Sequence, residues 1–153
     1  MSMEPQTQAD QFSNILRFNV GDETYALPLE HLVAAAGMCP YLTYSGIPKA
    51  YSGVVQWGGK LIPILNLSFF SENPIPQPTA QQSKPQNGMG SFAFAEINGR
   101  NIAIPISSDA HVEHPIKIRV EKDIFFPAVA INEEQQEARI VQLAKMLEKI
   151  PTN

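Results

Sequence analysis

The amino-acid sequence predicts a mostly β fold made of two small β-barrels or half-barrels. Apolar runs of strand length are separated by two-residue turn signals, of which the clearest are Gly58-Gly59 and Asn98-Gly99. Prolines also occur within three predicted strands, at Pro28, Pro63 and Pro105. Because proline cannot donate to a β-ladder, such strands suit small, strongly bent sheets in which bulges already interrupt the ladder.

The predicted strands form three pairs along the chain. They are ILRFNV and TYALPL, then residues 54–57 and 60–67, then FAFAEI and NIAIPI. After the first pair, the segment LEHLVAAAG predicts a short helix, and Gly37 is placed to end it. The segment YALPL at 25–29 recurs as IAIPI at 102–106, an offset of 102 − 25 = 77 residues. This match indicates two halves related by an internal duplication.

Composition divides the chain into a tail and one domain. Residues 1–12 are polar and predict a disordered tail, and residues 13–150 predict a single domain. A first half at 13–70 and a second half at 91–150 flank the segment 71–90, which is rich in proline and glutamine. This segment has almost no apolar surface to bury, so we expect a mobile loop.

The overall composition also argues against several classes of protein. Hydrophobic residues make up 44% of the chain, and the net charge of −4 provides no basic footprint for nucleic acid or anionic lipid. The single cysteine, Cys39, excludes an internal disulfide framework and fits a reducing compartment. The sequence has neither the pattern of a signal peptide nor an apolar run of transmembrane length. We therefore expect a cytoplasmic protein.

No catalytic motif stands out, because the sequence contains no P-loop, GxGxxG, CxxC or HExxH pattern. The nearest candidate metal ligands are His111, Glu113 and His114, but Pro115 predicts an extended or loop conformation there, and we favour surface decoration over a metal site. Cys39 is interpreted as a packed thiol rather than a nucleophile. We therefore expect no enzymatic activity, no cofactor and no bound metal.

Four aromatic residues allow three interpretations: Tyr41, Tyr44, Tyr51 and Trp57. Exposed aromatics on a small barrel can stack single-stranded nucleic acid, although the nearby cations are only Lys49 and Lys60. The rings could instead belong to the core, or mark a protein-binding patch, since aromatics are enriched at interfaces. We favour the protein-binding patch and keep single-stranded nucleic-acid binding as the alternative function. A steep loss of oligonucleotide binding with added salt would identify that alternative.

The C-terminal segment is ambiguous on local signals. Asn132 is a possible helix N-cap, acidic residues follow it and lysines lie near the end, which together favour one helix from about Glu133 to Ile150. The alternative is a hairpin of PAVAI and ARIVQL, followed by a short helical turn over AKMLEKI.

Three segments together resemble the CheW-like adaptor domain of bacterial chemosensory systems: FNVGDETYALPLEHLVAA, IPKAYSGVVQWGGKLIPILNL and FAFAEINGRNIAIPI. The most specific part, SGVVQWGGKLIPILNL, is similar to the family signature at Gly53, Gly59, Pro63, Ile64 and Leu67. The resemblance implies two five-stranded β-barrels that face each other over a shared apolar seam. It also favours the hairpin over the single helix at the C-terminus, because an unpaired strand would leave a barrel edge open.

The resemblance implies a function as well as a fold. It implies a non-enzymatic scaffold that docks a CheA-type histidine kinase and couples it to methyl-accepting chemoreceptors, with no nucleic-acid partner and no direct insertion into the membrane. It places partner-binding residues in the first half, at Leu32, Gly53, Trp57, Gly58, Gly59 and Lys60.

Two positions depart from the family pattern. The family's arginine falls on Gly58, and its aspartate falls on Asn66. Because that arginine belongs to a region linked to receptor coupling, this departure puts coupling to a standard receptor in question. The divergent hairpin suggests an accessory adaptor, for example in a system that controls type IV pili and twitching motility rather than flagella.

Overall fold

The computed structural model describes residues 14–43, 49–71 and 86–150. The predicted tail at 1–12 and most of the predicted loop lie outside these ranges. The strands are β1 (Ile15–Val20), β2 (Glu23–Pro28), β3 (Leu32–Thr43), β4 (Tyr51–Trp57), β5 (Lys60–Leu65), β6 (Gln86–Ile97), β7 (Arg100–Pro105), β8 (His111–Glu113), β9 (Lys117–Val120), β10 (Ala128–Ile131) and β11 (Glu137–Ile140). A short helix, α1, covers Leu143–Glu148, and 3-10 turns cover Leu29–His31 and Leu67–Phe70.

The strands form two sheets, which confirms the mostly β prediction. One sheet is a closed five-stranded barrel in the order β3-β4-β5-β7-β6, and the other has six strands in the order β8-β1-β2-β11-β10-β9. The described residues divide into two compact units accordingly. We call residues 32–105 with 147–150 the barrel unit, and residues 14–31 with 106–146 the sheet unit.

The two sheets share one strand order, which supports the predicted duplication. The barrel contains one parallel pair, β5 with β7, and the six-stranded sheet contains the equivalent parallel pair, β11 with β2. Strands β8 and β9 together occupy the place of the long strand β3. They are separated by residues 114–116, which include Pro115. The second sheet thus has six strands rather than the predicted five because one strand is interrupted, as a proline that cannot donate to a ladder allows.

Each unit combines strands from both ends of the sequence. The barrel unit takes β3, β4 and β5 from the first half and the hairpin β6–β7 from the second, whereas the sheet unit takes the hairpin β1–β2 and strands β8 to β11. The predicted halves, 13–70 and 91–150, therefore do not coincide with the compact units. The two hairpins β1–β2 and β6–β7 have the same register at an offset of 77 residues. Arg17 pairs with Ala26 in the first, and Phe94 pairs with Ala103 in the second.

Pro63 lies in β5 of the closed barrel without breaking the ladder to β4. The two-residue turn makes Trp57 and Lys60 a hydrogen-bonded pair, and alternation along the ladder makes Val54 and Pro63 a non-hydrogen-bonded pair. The nitrogen of Pro63 therefore points away from β4 and toward β7. The pairing of β5 with β7 is short and is centred on Ile64 and Ala103. A bent barrel strand tolerates proline at this position because no ladder hydrogen bond to β4 is lost.

The predicted turns are confirmed by their backbone angles. Gly58 and Gly59 have φ values of +61° and +77°, as the mirror-image turns of hairpins require. Asn98 and Gly99 follow the same pattern, with φ values of +52° and +80°. These turns depend on the conformation of two residues each, which is why the sequence predicts them well.

The predicted helix over residues 29–37 is wrong. Leu29–His31 forms a single 3-10 turn, and the chain continues as β3. The alanine run favours a helix locally, but β3 pairs with β6 along most of its length and with β4 near its end, and this pairing closes the barrel. Gly37 lies in a β-bulge between Ala36 and Cys39, where Met38 has a φ of +57°.

Two other boundaries are settled by strand pairing. The predicted loop at 71–90 ends too late, since Gln86 to Gly90 belong to β6 and pair with β3. At the C-terminus, the hairpin β10–β11 followed by α1 is confirmed, and the single helix from Glu133 is wrong. Asn132 caps the connecting turn instead, as its Oδ1 atom accepts hydrogen bonds from the backbone nitrogens of Glu134 and Gln136.

Candidate functional site

The outer surface of the barrel unit carries an apolar region on strands β6, β3, β4 and β5, with the polar Gln56 beside Leu61 and Asn87 beside Leu42. Register pairs place Met89 beside Pro40, Leu42 beside Val54, and Val54 beside Pro63. Paired residues share one side of a sheet, as do residues two apart along a strand. We call six apolar side chains on this outer surface the apolar face: Pro40, Leu42, Val54, Leu61, Pro63 and Met89.

Several side chains of the apolar face are open to solvent. Leu61 is 70% exposed and Met89 is 53% exposed, and Met38, at the neighbouring bulge, is 73% exposed. Large apolar side chains that adjoin one another on a surface mark binding sites more often than isolated ones do. The sequence does not predict this face, because Pro40, Leu42 and Met89 lie outside the predicted strands. Leu61 and Pro63 do lie in the predicted strand at 60–67, which is apolar on both of its faces and is the signal that indicates such a surface.

The hairpin β4–β5 brings four of the predicted site residues together at one edge of this face. Gly58, Gly59 and Lys60 are exposed, and Trp57 is half-buried. A Cβ atom added to either glycine would meet nothing within 4 Å, so it is the positive φ, not space, that demands glycine at these positions. Lys60, which pairs with Trp57 across the ladder, is the charged residue of the hairpin.

Trp57 is held from inside the barrel. Its ring stacks on Phe94 at a centroid distance of 4.4 Å and an interplanar angle of 11°. The pair packs against the barrel core, which contains Val55, Ile62 and Ile64. Trp57 is therefore partly a core residue, and only the rest of its ring can reach a partner.

The two remaining predicted site residues have other surroundings. Gly53 is buried, and a Cβ atom there would lie 2.1 Å from the backbone oxygen of Leu42, so glycine is required for the close approach of β3 and β4. Leu32 is half-buried at the start of β3 and pairs with Ala95 of β6 rather than with the hairpin. The structure thus groups Trp57 with the turn and separates Leu32 from it.

The aromatic residues pack internally more than the predicted patch requires. Tyr41 meets Phe92 edge-on, with ring centroids 5.8 Å apart, and the hydroxyl of Tyr51 accepts a hydrogen bond from Nη2 of Arg100 at 3.1 Å. Tyr44 lies outside the described residues. Rings engaged in this way are not available as a platform on which successive bases could stack.

Asn66, at the position of the family's aspartate, has a local structural role. Its Nδ2 atom donates to the backbone oxygen of Lys49 at 3.3 Å, and its Oδ1 atom accepts from Oγ of Ser68 at 2.9 Å. A carboxylate could accept the second bond but could not donate the first. The amide therefore joins the start of β4 to the 3-10 turn that follows β5.

The HVEH segment forms a polar network in the sheet unit. Nε of Arg17 donates to Oε2 of Glu113 at 2.6 Å, and Nε2 of His111 lies 3.0 Å from Oε1 of the same carboxylate. The hydrogen bond to the backbone oxygen of Asp109 and the bond to Glu113 raise the pKa of His111. Burial alone would raise the pKa of Glu113, but the hydrogen bonds from Arg17 and His111 outweigh it and lower that pKa.

The side chains that could bind a metal ion are not grouped within the described residues. Over residues 14–43, 49–71 and 86–150, no three His, Cys, Asp or Glu side chains are grouped so that they could hold a metal ion. Cys39 is buried as predicted, with its sulfur 3.7 Å from the backbone oxygen of Gly37. No helix within these residues is long and apolar enough to cross a membrane.

Comparison with known proteins agrees with this architecture. The family model described as the CheW-like domain matches residues 14–150. Among solved structures, the chain is similar to the scaffolding protein TtCheW from Thermoanaerobacter tengcongensis, with a TM-score of 0.64 and 16% sequence identity over 89% of this chain and 92% of that chain. No curated protein sequence matches the chain. Because the family model spans nearly all of the described residues, the chain belongs to the CheW-like domain family.

Proposed function

We propose that this protein is a cytoplasmic, non-enzymatic signalling adaptor that docks a CheA-type histidine kinase and couples it to chemoreceptors. The observation that carries the proposal is the family match over residues 14–150. The similar TtCheW is described as a scaffolding protein, which is a role that needs binding surfaces but no reacting groups. An adaptor of this kind acts by position, since it holds partners in an arrangement that favours one state of the kinase.

The apolar face is the proposed docking surface for the kinase. Four of its side chains are already exposed, so a partner can bury them without any rearrangement of the barrel: Pro40, Leu42, Leu61 and Met89. Burying a side chain as exposed as Leu61 contributes roughly 1–2 kcal/mol, which places it among the minority of interface residues whose truncation costs more than about 1 kcal/mol. All six side chains of this face are apolar, which favours a partner surface that is itself apolar.

The hairpin at Gly58 favours a partner other than a standard receptor tip. A glycine offers no guanidinium fork for carboxylate or carbonyl groups, and Lys60 is a less directional donor. The surface next to the turn instead presents the accessible part of the half-buried Trp57 and the exposed side chain of Leu61. The adaptor is therefore proposed to serve an accessory chemosensory system, such as one that drives pilus-based motility.

Substitution of Leu61 by aspartate tests the docking surface. Leu61 is 70% exposed, so Leu61→Asp should leave the thermal midpoint nearly unchanged while it weakens capture of the cognate kinase regulatory domain tenfold or more. Ile124→Asp is the matched control, since Ile124 is 56% exposed but belongs to the sheet unit. Equal binding by both variants would refute the assignment of the face. Failure of the unmodified protein to bind any histidine kinase of its own cell would refute the adaptor function itself.

A further inference from the structure

The inner side of the six-stranded sheet changes from apolar to polar along its strands. Its apolar layer consists of Ile15, Ala26, Ile118, Ala128, Ala130, Ala138 and Ile140. On β1, the next inward positions after Ile15 are Arg17 and Asn19, and Thr24 of β2 pairs with Asn19. These polar side chains line a cavity of about 300 Å³, which His111, Asp109 and Gln136 also border.

The equivalent place in the closed barrel is filled by aromatic rings. Arg17 corresponds to Phe94 through the offset of 77 residues, because each pairs with the equivalent alanine of its hairpin. Phe94 is covered there by the stacked ring of Trp57. A buried ion pair is generally no more stabilising than well-packed apolar side chains of similar volume. Polar side chains are therefore not the more stabilising choice at this place in the sheet unit, which points to a binding role.

The guanidinium group of Arg17 has a hydrogen-bond donor left for a ligand, although the side chain is nearly buried. Its side chain is 7% exposed. Its Nε atom donates to Glu113, and its Nη2 atom donates to the backbone oxygen of Gln136 at 3.2 Å. The third nitrogen, Nη1, has no hydrogen-bond partner among the described residues. A guanidinium in this position can donate to a carboxylate that enters the cavity.

The cavity has a positive wall. Nδ1 of His111 lies 3.0 Å from the backbone oxygen of Asp109, and its Nε2 atom faces Glu113. Both contacts are acceptors, so only the imidazolium form satisfies both ring nitrogens. Two cationic groups, Arg17 and His111, then share the single carboxylate of Glu113. With His111 in this protonated form, the wall carries one excess positive charge.

The other wall is negative. Asp109 accepts hydrogen bonds from the side chains of Ser107 and Asn19, but it forms no ion pair with the described residues. Glu137 also borders the cavity, but Arg119 holds both of its carboxylate oxygens, at 2.8 and 3.0 Å. Asp109 is thus the carboxylate whose charge remains uncompensated at the cavity.

We propose that this cavity binds a small zwitterion that carries a carboxylate and a primary ammonium group, of the size of a free amino acid. The ligand carboxylate accepts from Nη1 of Arg17, and its ammonium group donates to Asp109. A volume of about 300 Å³ lies at the lower end of the range for small-molecule sites. A ligand with one sign of charge would match only one wall.

A titration of the full-length protein followed by amide NMR tests the site. L-Alanine is the probe, and N-acetyl-L-alanine and L-alanine amide are matched compounds that lack the ammonium charge or the carboxylate. We expect L-alanine to shift the amide signals of Asn19, His111 and Gln136, with a dissociation constant on the order of 1 mM for a ligand of about six heavy atoms. Each matched compound should bind at least tenfold more weakly.

Asp109→Asn tests the negative wall by mutation. Asp109 is exposed and the amide can still accept a hydrogen bond, so the substitution removes the charge with little effect on the fold. It should weaken L-alanine binding about tenfold, whereas Asp22→Asn, at an exposed turn of the same unit, should not change it. Equal binding of N-acetyl-L-alanine would overturn the zwitterion assignment in favour of a simple anion. Unchanged amide signals in the unmodified protein up to about 20 mM L-alanine would overturn the site altogether, since a millimolar ligand would then be near saturation.

Discussion

Replacement of Trp57 by alanine is expected to destabilise the barrel unit by about 2–3 kcal/mol. A fully buried tryptophan or phenylalanine typically costs about 3–5 kcal/mol when truncated to alanine, and Trp57 is only half-buried. The loss of its stack on Phe94, at 4.4 Å, accounts for roughly 0.5–1.5 kcal/mol of this cost. Trp57→Phe retains an aromatic contact and should therefore cost less than half as much.

Urea unfolding followed by circular dichroism measures the unfolding free energy of both variants under the same conditions. Trp57 is the single tryptophan of the sequence, so its fluorescence additionally reports the environment of the stack in the unmodified protein. The m-value should stay constant, because the change of stability is local to one contact. A cost below about 0.5 kcal/mol for Trp57→Ala would refute the packing argument and return Trp57 to a purely interfacial role.

Three further substitutions, at Gly59, Asn66 and His111, have expected effects on stability. Gly59→Val should lower the unfolding free energy by roughly 1–2 kcal/mol, since a β-branched residue is poorly tolerated at a φ of +77°; a neutral urea melt would contradict this turn geometry. Asn66→Asp should cost about 1 kcal/mol, because the donor to the oxygen of Lys49 is lost; Ser68→Ala, which removes only the bond to Oδ1, is the control. The raised pKa of His111 means that its contribution to stability is present below pH 6.5 or so and is lost as the pH rises through the higher folded value. His111→Gln should therefore flatten the fall of stability as the pH rises above about 6.5, and an unchanged slope would exclude His111 as its source.

The elements that the sequence determined by itself depend on a few neighbouring residues. The turns at Gly58-Gly59 and Asn98-Gly99 require positive φ values that glycine and asparagine supply, and the structure contains both. The repeat of YALPL as IAIPI likewise reflects equivalent strands, β2 and β7, each of which ends on its proline. The family signature around Pro63 was recognisable for the same reason, since it combines a turn with the strand that follows. Local conformation and short spacing are properties that a sequence displays directly.

The elements that only the tertiary structure decided depend on pairing between distant segments. Residues 32–37 are helix-forming by local propensity, yet they form a strand because β6, more than fifty residues later in the chain, closes the barrel against them. Each unit contains one hairpin from the other half of the sequence: β6–β7 in the barrel unit and β1–β2 in the sheet unit. No local sequence pattern encodes this exchange. Arg17 and Glu113 are brought together by the pairing of β1 with β8, and Trp57 is brought onto Phe94 by closure of the barrel. Side-chain partners of this kind follow from long-range strand pairing, whose free energy depends on the whole sheet and not on any one segment.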